Sequence, residues 1–383
     1  MPALEGVRVI DLSRVLAGPF CAMLLGDMGA DVIKIEEPTE GDDARMWGPF
    51  IGSWSAYFLG VNRNKRSVAL DLKSAAGQGV LRELLVGADV FIENIKPGSL
   101  DKLGFGVDAV RRLNPRLVYC SISGYGRTGP RRNLTGYDPV VQAESGFMDI
   151  TGMPDGPPVR TGIAMTDYLA ALYAFAGIML ALRERDRSGQ GQHVDISLFD
   201  SILSTLSMPV GIFQATGKKP MRLGNDHSAI APYEVLNAAD GMVMVAAANG
   251  RLWKQLCAAV GVSRLTEDAR FKTNTDRVAN RAALKRELEA AFAPFSVDAL
   301  IERLQQHGVA CGRVRTVPEA LADPQVEPRQ MLIPLDDPEL AGFKVMGNPI
   351  KLSNSPPALT RRPPKLGEHT EEVLAEMRNR PVR

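Results

Sequence analysis

Asp167 stands alone ahead of an uncharged run, residues 168–182, reading Tyr-Leu-Ala-Ala-Leu-Tyr-Ala-Phe-Ala-Gly-Ile-Met-Leu-Ala-Leu. Such a run is too long for an ordinary strand and too short to cross a bilayer, which takes about 20 apolar residues, so it predicts a buried helix. Asp167 then falls in the first turn. Free backbone N–H groups and the positive end of the helix dipole would favour its ionised form there and hold it ready as a nucleophile. Asp is also a favoured N-cap residue, and the local pattern leaves both roles open. The four histidines show no metal-ligand spacing, and Cys21, Cys120, Cys257 and Cys311 include no Cys-x-x-Cys pair, so reduced thiols and no metal are expected.

With 45 Lys and Arg against 44 Asp and Glu in 383 residues, no net field draws the chain to nucleic acid or to a membrane surface. A small-molecule partner fits that balance, and any anionic ligand must be met by local charge. A strand-like segment at 7–10 follows the start directly, with no basic-then-apolar leader, so a cytoplasmic enzyme is expected.

The elements that must position Asp167 begin with an alternation of short apolar runs and helical patterns at 7–12, 20–28, 31–35, 67–72, 77–86, 89–92 and 117–122. That alternation predicts an α/β fold built on a doubly wound, Rossmann-like parallel sheet. The loops 13–19, 36–43, 94–98 and 123–130 follow strands, and ligands gather at the carboxyl ends of strands in open α/β sheets. Pro19 suits the first position of a helix. No Gly-x-Gly-x-x-Gly follows the first strand, so a nucleotide-binding dehydrogenase or binding module lacks its fingerprint. Gly136-Tyr137-Asp138-Pro139 opens a helical stretch to 148, and 193–198 reads as a strand. Beyond 224, runs at 233–236 and 242–246 flank a hairpin turn containing Asp240-Gly241, and helical patterns follow at 252–260, 281–291 and 297–307. The expected division is a large α/β domain over 1–200, a smaller α+β domain over 225–330, and a segment over 331–383 that packs back on the large domain.

Five stretches in order carry a family resemblance: Asp11-Leu12-Ser13-Arg14-Val15-Leu16-Ala17-Gly18-Pro19, Gly29-Ala30-Asp31-Val32-Ile33-Lys34-Ile35-Glu36, Asn62-Arg63-Asn64-Lys65-Arg66-Ser67, Glu93-Asn94-Ile95-Lys96-Pro97-Gly98, and 162–167. The chain resembles the family III CoA-transferases over nearly its whole length, and looks most like their glutarate-type dicarboxylate members. The resemblance implies that Asp167 attacks an acyl-CoA thioester to give an aspartyl mixed anhydride, with coenzyme A as substrate and product and no tightly bound cofactor. It implies CoA binding by Arg14 and Val15, by Leu70, Asp71, Leu72 and Lys73, by Asn94, Ile95 and Lys96, and by Lys102. Glu37 and Thr135 depart from basic residues of the family pattern, which would move phosphate recognition to Lys65, Arg66 or Lys73.

On the acid side, Arg45 is the candidate for the distal carboxylate of a dicarboxylic acid, because a guanidinium fork suits bidentate capture. An ordinary salt bridge is its alternative role. Tyr137 and His227 are candidate substrate contacts, and Asn249 and Gly250 belong to an Ala-rich segment, 246–250, that matches a covering loop of the family. Partners implied are acyl-CoA, small carboxylic acids and a second copy of the chain in an interlocked dimer. An α-methylacyl-CoA racemase on the same fold is the competing reading. It needs a histidine where this chain has Tyr137, and a phenol of pKa about 10 is a poor base near neutrality.

Overall fold

Val9 and Ile10 are both fully buried, one on each face of strand β1 (Arg8–Leu12), and that two-sided burial is what a parallel sheet covered by helices requires. The computed structural model describes residues 1–340 and 342–379. Five more strands join β1: β2 (Asp31–Glu36), β3 (Lys65–Ala69), β4 (Val90–Glu93), β5 (Val118–Ser123) and β6 (His193–Ser197). Their order is β3-β2-β1-β4-β5-β6 and every pairing is parallel, with Val9 in register with Val32 on one side and Val90 on the other. The α/β reading holds. The order reverses between β1 and β4, which makes the carboxyl ends of those two strands the switch point where a crevice opens.

On one face, Val9, Val32, Val90 and Ile122 pack with helix α1 (Ala17–Asp27). On the other, Ile10, Ile33, Val68 and Phe91 pack with α2 (Ala75–Val86). After α3 (Asp138–Glu144) comes α4 (Met165–Ser188), 24 residues long, which lies against α1 and the β5–β6 side. Its inner face is small: Ala170, Ala171, Ala174 and Ala181 are buried, and a Cβ on Gly177 would stand 2.7 Å from Val194 Cγ1. Those residues let the helix sit close to the sheet. Gly189, at φ 75°, ends it in the left-handed conformation that glycine allows.

Several expectations change here. Helix α1 starts at Ala17, so Pro19 is its third residue. The first-turn N–H groups have no partner in the helix, so a proline is tolerated there as well. The stretch expected to 148 ends at Glu144. Helix α4 is not buried all round, since Leu172, Tyr173 and Leu180 are exposed on its outer side. It also extends beyond the 168–182 run: by length and apolar content alone, α4 and the span 198–216 would each suffice to cross a membrane. That second span, α5 (Leu198–Leu203) followed by α6 (Ser207–Thr216), gave no sequence signal, and α6 has no buried residue.

The chain divides into two compact units, one of residues 1–148, 160–218 and 324–383, the other of 149–159 and 219–323. In the smaller unit an antiparallel sheet of β7 (Tyr233–Asn237), β8 (Met242–Ala246) and β9 (Ala310–Arg313) has β8 at its centre. Helices α7 (Gly250–Ala259), α8 (Arg281–Phe292) and α9 (Val297–Gln306) share a core with Trp253, Phe271 and Phe292. Asp240 lies in the β7–β8 loop, but its carboxylate accepts the N–H of Val297 at 2.7 Å and so anchors the start of α9.

In the larger unit the C-terminal stretch supplies β10 (Leu332–Pro334), β11 (Lys344–Met346) and α10 (Thr370–Arg378). It is fastened by buried Asp27, which receives Arg63 through two nitrogens at 2.8 and 2.7 Å, Asn64 at 2.8 Å and Asn348 at 3.1 Å. Asp27→Ala would leave the Arg63 guanidinium buried without its counter-charge. It is expected to lower stability by about 3–5 kcal/mol, read from the midpoint of denaturant unfolding. All four cysteines are free thiols. Cys21 on α1 and Cys120 on β5 lie in the core that α4 shares, and Cys257 is buried in the smaller unit.

Candidate active site

The first turn of α4 is held from outside the helix. Its N-cap, Ala164, offers no side-chain acceptor, and Asp138 at the start of α3 takes over the task. Asp138 Oδ1 accepts the Thr166 N–H at 2.9 Å and the Thr166 hydroxyl at 2.8 Å, and both its oxygens accept from Gln142 Nε2 at 3.0 and 2.9 Å. Gln142 Oε1 in turn accepts the Thr161 N–H at 3.0 Å. Asp167, the third residue of α4, is therefore not the cap. Its carboxyl makes no hydrogen bond or ion pair among the described residues.

Burial, and after it the Asp138 carboxylate, together push the Asp167 carboxyl up to about 7. The expectation that the helix dipole would hold it ionised is overturned: loss of water around the charge outweighs the dipole. As a nucleophile, the expected role, this carboxyl would act as the anion. The kcat/KM profile is therefore expected to rise with pH through a midpoint near 7, and an acid limb with a midpoint near 4 would contradict it. Tyr57 and Tyr168 both feel the Asp167 charge, which with burial raises their phenols, and Tyr168 stacks edge-on against Phe20 at 5.0 Å.

At the switch point, Asn94 donates to the Arg14 carbonyl and accepts the Arg14 N–H, both at 2.8 Å, so the loops after β1 and β4 are brought together. Val15 takes φ 71°, a region a β-branched residue avoids at a cost on the order of 1–3 kcal/mol. Its N–H is held by Asp42 Oδ1 at 2.9 Å. Asp42 is paired with buried Lys34 at 2.8 Å, and Lys34 also donates to the Ser13 carbonyl. Strain kept in place by so many bonds marks a loop whose shape is used.

Beside this loop, Leu70 is buried, Leu72 and Ile95 rest on the α2 core, and the Ile95 N–H donates to Glu93. The Asp71 carboxylate accepts the Lys73 N–H. Lys73, Lys96 and Lys102 are exposed and pair with no carboxylate among the described residues.

Lys65 and Arg66 do not fit a phosphate role. The Lys65 ammonium is fully buried and donates to Asp11 at 2.9 Å and to Pro19 O and Asn62 Oδ1 at 2.8 Å; Arg66 is engaged by Asp31, Glu372 and Glu376. Glu37 is exposed and accepts the N–H groups of Thr39 and Glu40, a turn-closing task that an arginine could not perform. Thr135 is exposed.

Arg45 also changes role. Its fork grips Glu36 at 2.8 and 2.7 Å, it donates to the Pro364 carbonyl, and its plane lies 3.7 Å from the Phe58 ring centroid. An incoming carboxylate would have to displace Glu36. Tyr137 is 69% exposed. In the smaller unit, His227 Nδ1 faces the Ala229 N–H at 3.1 Å, and Asn249 caps α7 through Leu252 N–H at 3.0 Å with Gly250 as the first helical residue. That is the geometry of an ordinary strand-to-helix turn.

A sequence profile of the CoA-transferase family III matches residues 4–370. The chain belongs to that family. This transferase is 41% identical over 383 residues to the succinate–glutarate CoA-transferase of Agrobacterium fabrum, covering 98% of this chain and 96% of that one. It is 42% identical over 350 residues to the acetyl-CoA:oxalate CoA-transferase of Acetobacter aceti, covering 91% and 89%. Among solved structures it is similar to a CaiB/BaiF family protein from Brucella suis, at a TM-score of 0.88 and 41% identity over 98% of this chain and 99% of that one.

Asp138, Gln142 and Thr166 escaped the sequence reading of the transferase. The signal present was Asp138-Pro139, which reads as a local helix start and says nothing of a carboxylate that caps a different helix.

Proposed function

We propose that the transferase moves CoA from succinyl-CoA to a second dicarboxylic acid, in the cytoplasm, through acyl anhydrides on Asp167. The observation that carries this is the carboxyl of Asp167, left without a partner on a helix start that other side chains cap. A carboxylate oxygen forms a bond to the thioester carbon, the C–S bond breaks, and the thiolate leaves with the electron pair. The thiolate then attacks the aspartyl carbonyl and releases the donor acid, leaving an aspartyl thioester. The acceptor carboxylate repeats the sequence in reverse and departs as its CoA thioester. No proton or external electron is consumed. Keeping CoA bound throughout makes each attack intramolecular, which supplies on the order of 7–11 kcal/mol of barrier lowering.

The strained Arg14–Val15 loop and the exposed Lys73, Lys96 and Lys102 suit the nucleotide and phosphates of CoA. The relatives named for glutarate with succinate, and for oxalate with acetyl-CoA, support small acids as acceptors. The apolar outer side of α4 and α6 supports self-association, which light scattering reads directly.

The test is incubation with succinyl-CoA followed by hydroxylamine or borohydride and peptide mapping. Modification at Asp167 is expected. No adduct, together with deuterium entering the α-carbon of a branched acyl-CoA, would replace transfer by racemisation. A screen of succinate, glutarate, itaconate, malate, oxalate and carnitine then names the acceptor.

A further inference from the structure

A cavity of about 750 Å³ in the larger unit is walled by Ile163 and Ala164, a few residues before Asp167, by Tyr168 directly after it, and by Tyr57, whose phenol feels the Asp167 charge; Asp167 itself stands just outside the lining. No Asp or Glu lines it among the described residues. Three cations do. Arg63 is committed to Asp27 and to the Met346 carbonyl. Lys344 stands on β11. Arg160 is exposed and makes no hydrogen bond or ion pair among the described residues, in contrast to Arg45 with its Glu36. A free guanidinium in a cavity without acids, seven residues ahead of the nucleophile, is poised for a carboxylate.

We infer that Arg160 receives the distal carboxylate of the acyl group carried on Asp167, and so sets the preference for dicarboxylic acids. The inference rests on the transfer reading above. Both donor and acceptor acids pass through the same position on Asp167, so a single anchor serves both. A succinyl or glutaryl chain attached at Asp167 brings its second carboxylate into the cavity, where the planar fork accepts it through two parallel N–H···O bonds. An acyl chain ending in a methyl group leaves that fork unanswered.

The experiment compares the ratio of kcat/KM for glutarate with succinyl-CoA to that for valerate with butyryl-CoA, in the wild-type protein, Arg160→Met, Arg160→Lys and Lys344→Met. Arg160→Met is expected to collapse the ratio on the order of 10–100-fold, the worth of hydrogen bonds between charged groups. Arg160→Lys is expected to restore part of it, because charge returns without the fork. A purely structural role would lower both reactions together and leave the ratio unchanged, and that result overturns the inference. Collapse in Lys344→Met with Arg160→Met unaffected overturns it as well. Since Arg160 makes no hydrogen bond or ion pair among the described residues, its variants are expected to melt with the wild type. Absence of exchange with every acid pair in the wild-type protein would instead reject the transfer reading, so the two failures are distinguishable.

Discussion

Asp167→Asn is expected to lower CoA exchange by on the order of 10⁴-fold or more while the protein still binds CoA, because an amide of the same shape cannot form an acyl anhydride. Single-turnover kinetics with labelled succinyl-CoA read the first effect and calorimetric titration with CoA the second. Turnover within tenfold of wild type would remove Asp167 from the reaction. The same variant carries a second signature, in stability.

The wild-type carboxyl titrates near 7 in the folded protein against about 3.8 unfolded. Between those values the unfolded chain binds fewer protons, so wild-type stability falls as pH rises from about 4 to about 7. The asparagine variant lacks that loss. It is therefore expected to match the wild type near pH 4 and to exceed it above pH 7 by on the order of a few kcal/mol. Melting both proteins at pH 5 and pH 8 checks the sign. A gap that narrows towards alkaline pH would mean that the resting carboxyl is not held in its neutral form.

The second large effect belongs to Asp138. Asp138→Ala leaves the Thr166 N–H and hydroxyl and the Gln142 amide without their shared acceptor in a buried place, and removes the cap of α4. A stability loss of about 3 kcal/mol is expected from denaturant unfolding, with kcat reduced on the order of 10–100-fold as the first turn loosens around Asp167. Asp138→Asn separates the two roles. It keeps an oxygen for Thr166 but removes the negative charge beside Asp167, so the Asp167 carboxyl loses one of the two influences that raise it. The midpoint of the kcat/KM profile should then move to lower pH, with a smaller stability loss than for alanine. An unmoved midpoint would confine Asp138 to a structural role.

Local pattern was enough for the centre of the sheet because β1, β2, β4 and β5 are buried almost throughout and carry short apolar runs: Val9 and Ile10 could be assigned without knowing their neighbours. The helix carrying Asp167 was legible from its uncharged run, although Leu172, Tyr173 and Leu180 of that run are exposed. What local pattern could not supply was the cap from Asp138, 28 positions away, since a carboxylate near a proline looks the same whichever helix it serves. Nor could it tell Arg45 from Arg160. Both are arginines near candidate loops, and only folding brings Glu36 to the first and leaves the second alone. Lys65 and Arg66 misled for a related reason. Lysine and arginine are rarely buried, and here Asp11 and the acids of α10 make them so. The helices of 198–216 gave no usable signal because α6 buries nothing and has no periodic face to read.

The cysteines take on a meaning in this chemistry. An acyl group on Asp167, as proposed above, would be vulnerable to any thiolate in reach, and capture by the protein's own sulfur would strand it as a dead-end thioester. Burial raises all four thiols, that of Cys257 to about 12, so none offers a thiolate at neutral pH. Cys21 and Cys120, in the core that α4 shares, are fully enclosed as well. On the proposed route the sulfur of CoA would thus meet no rival thiolate from the chain.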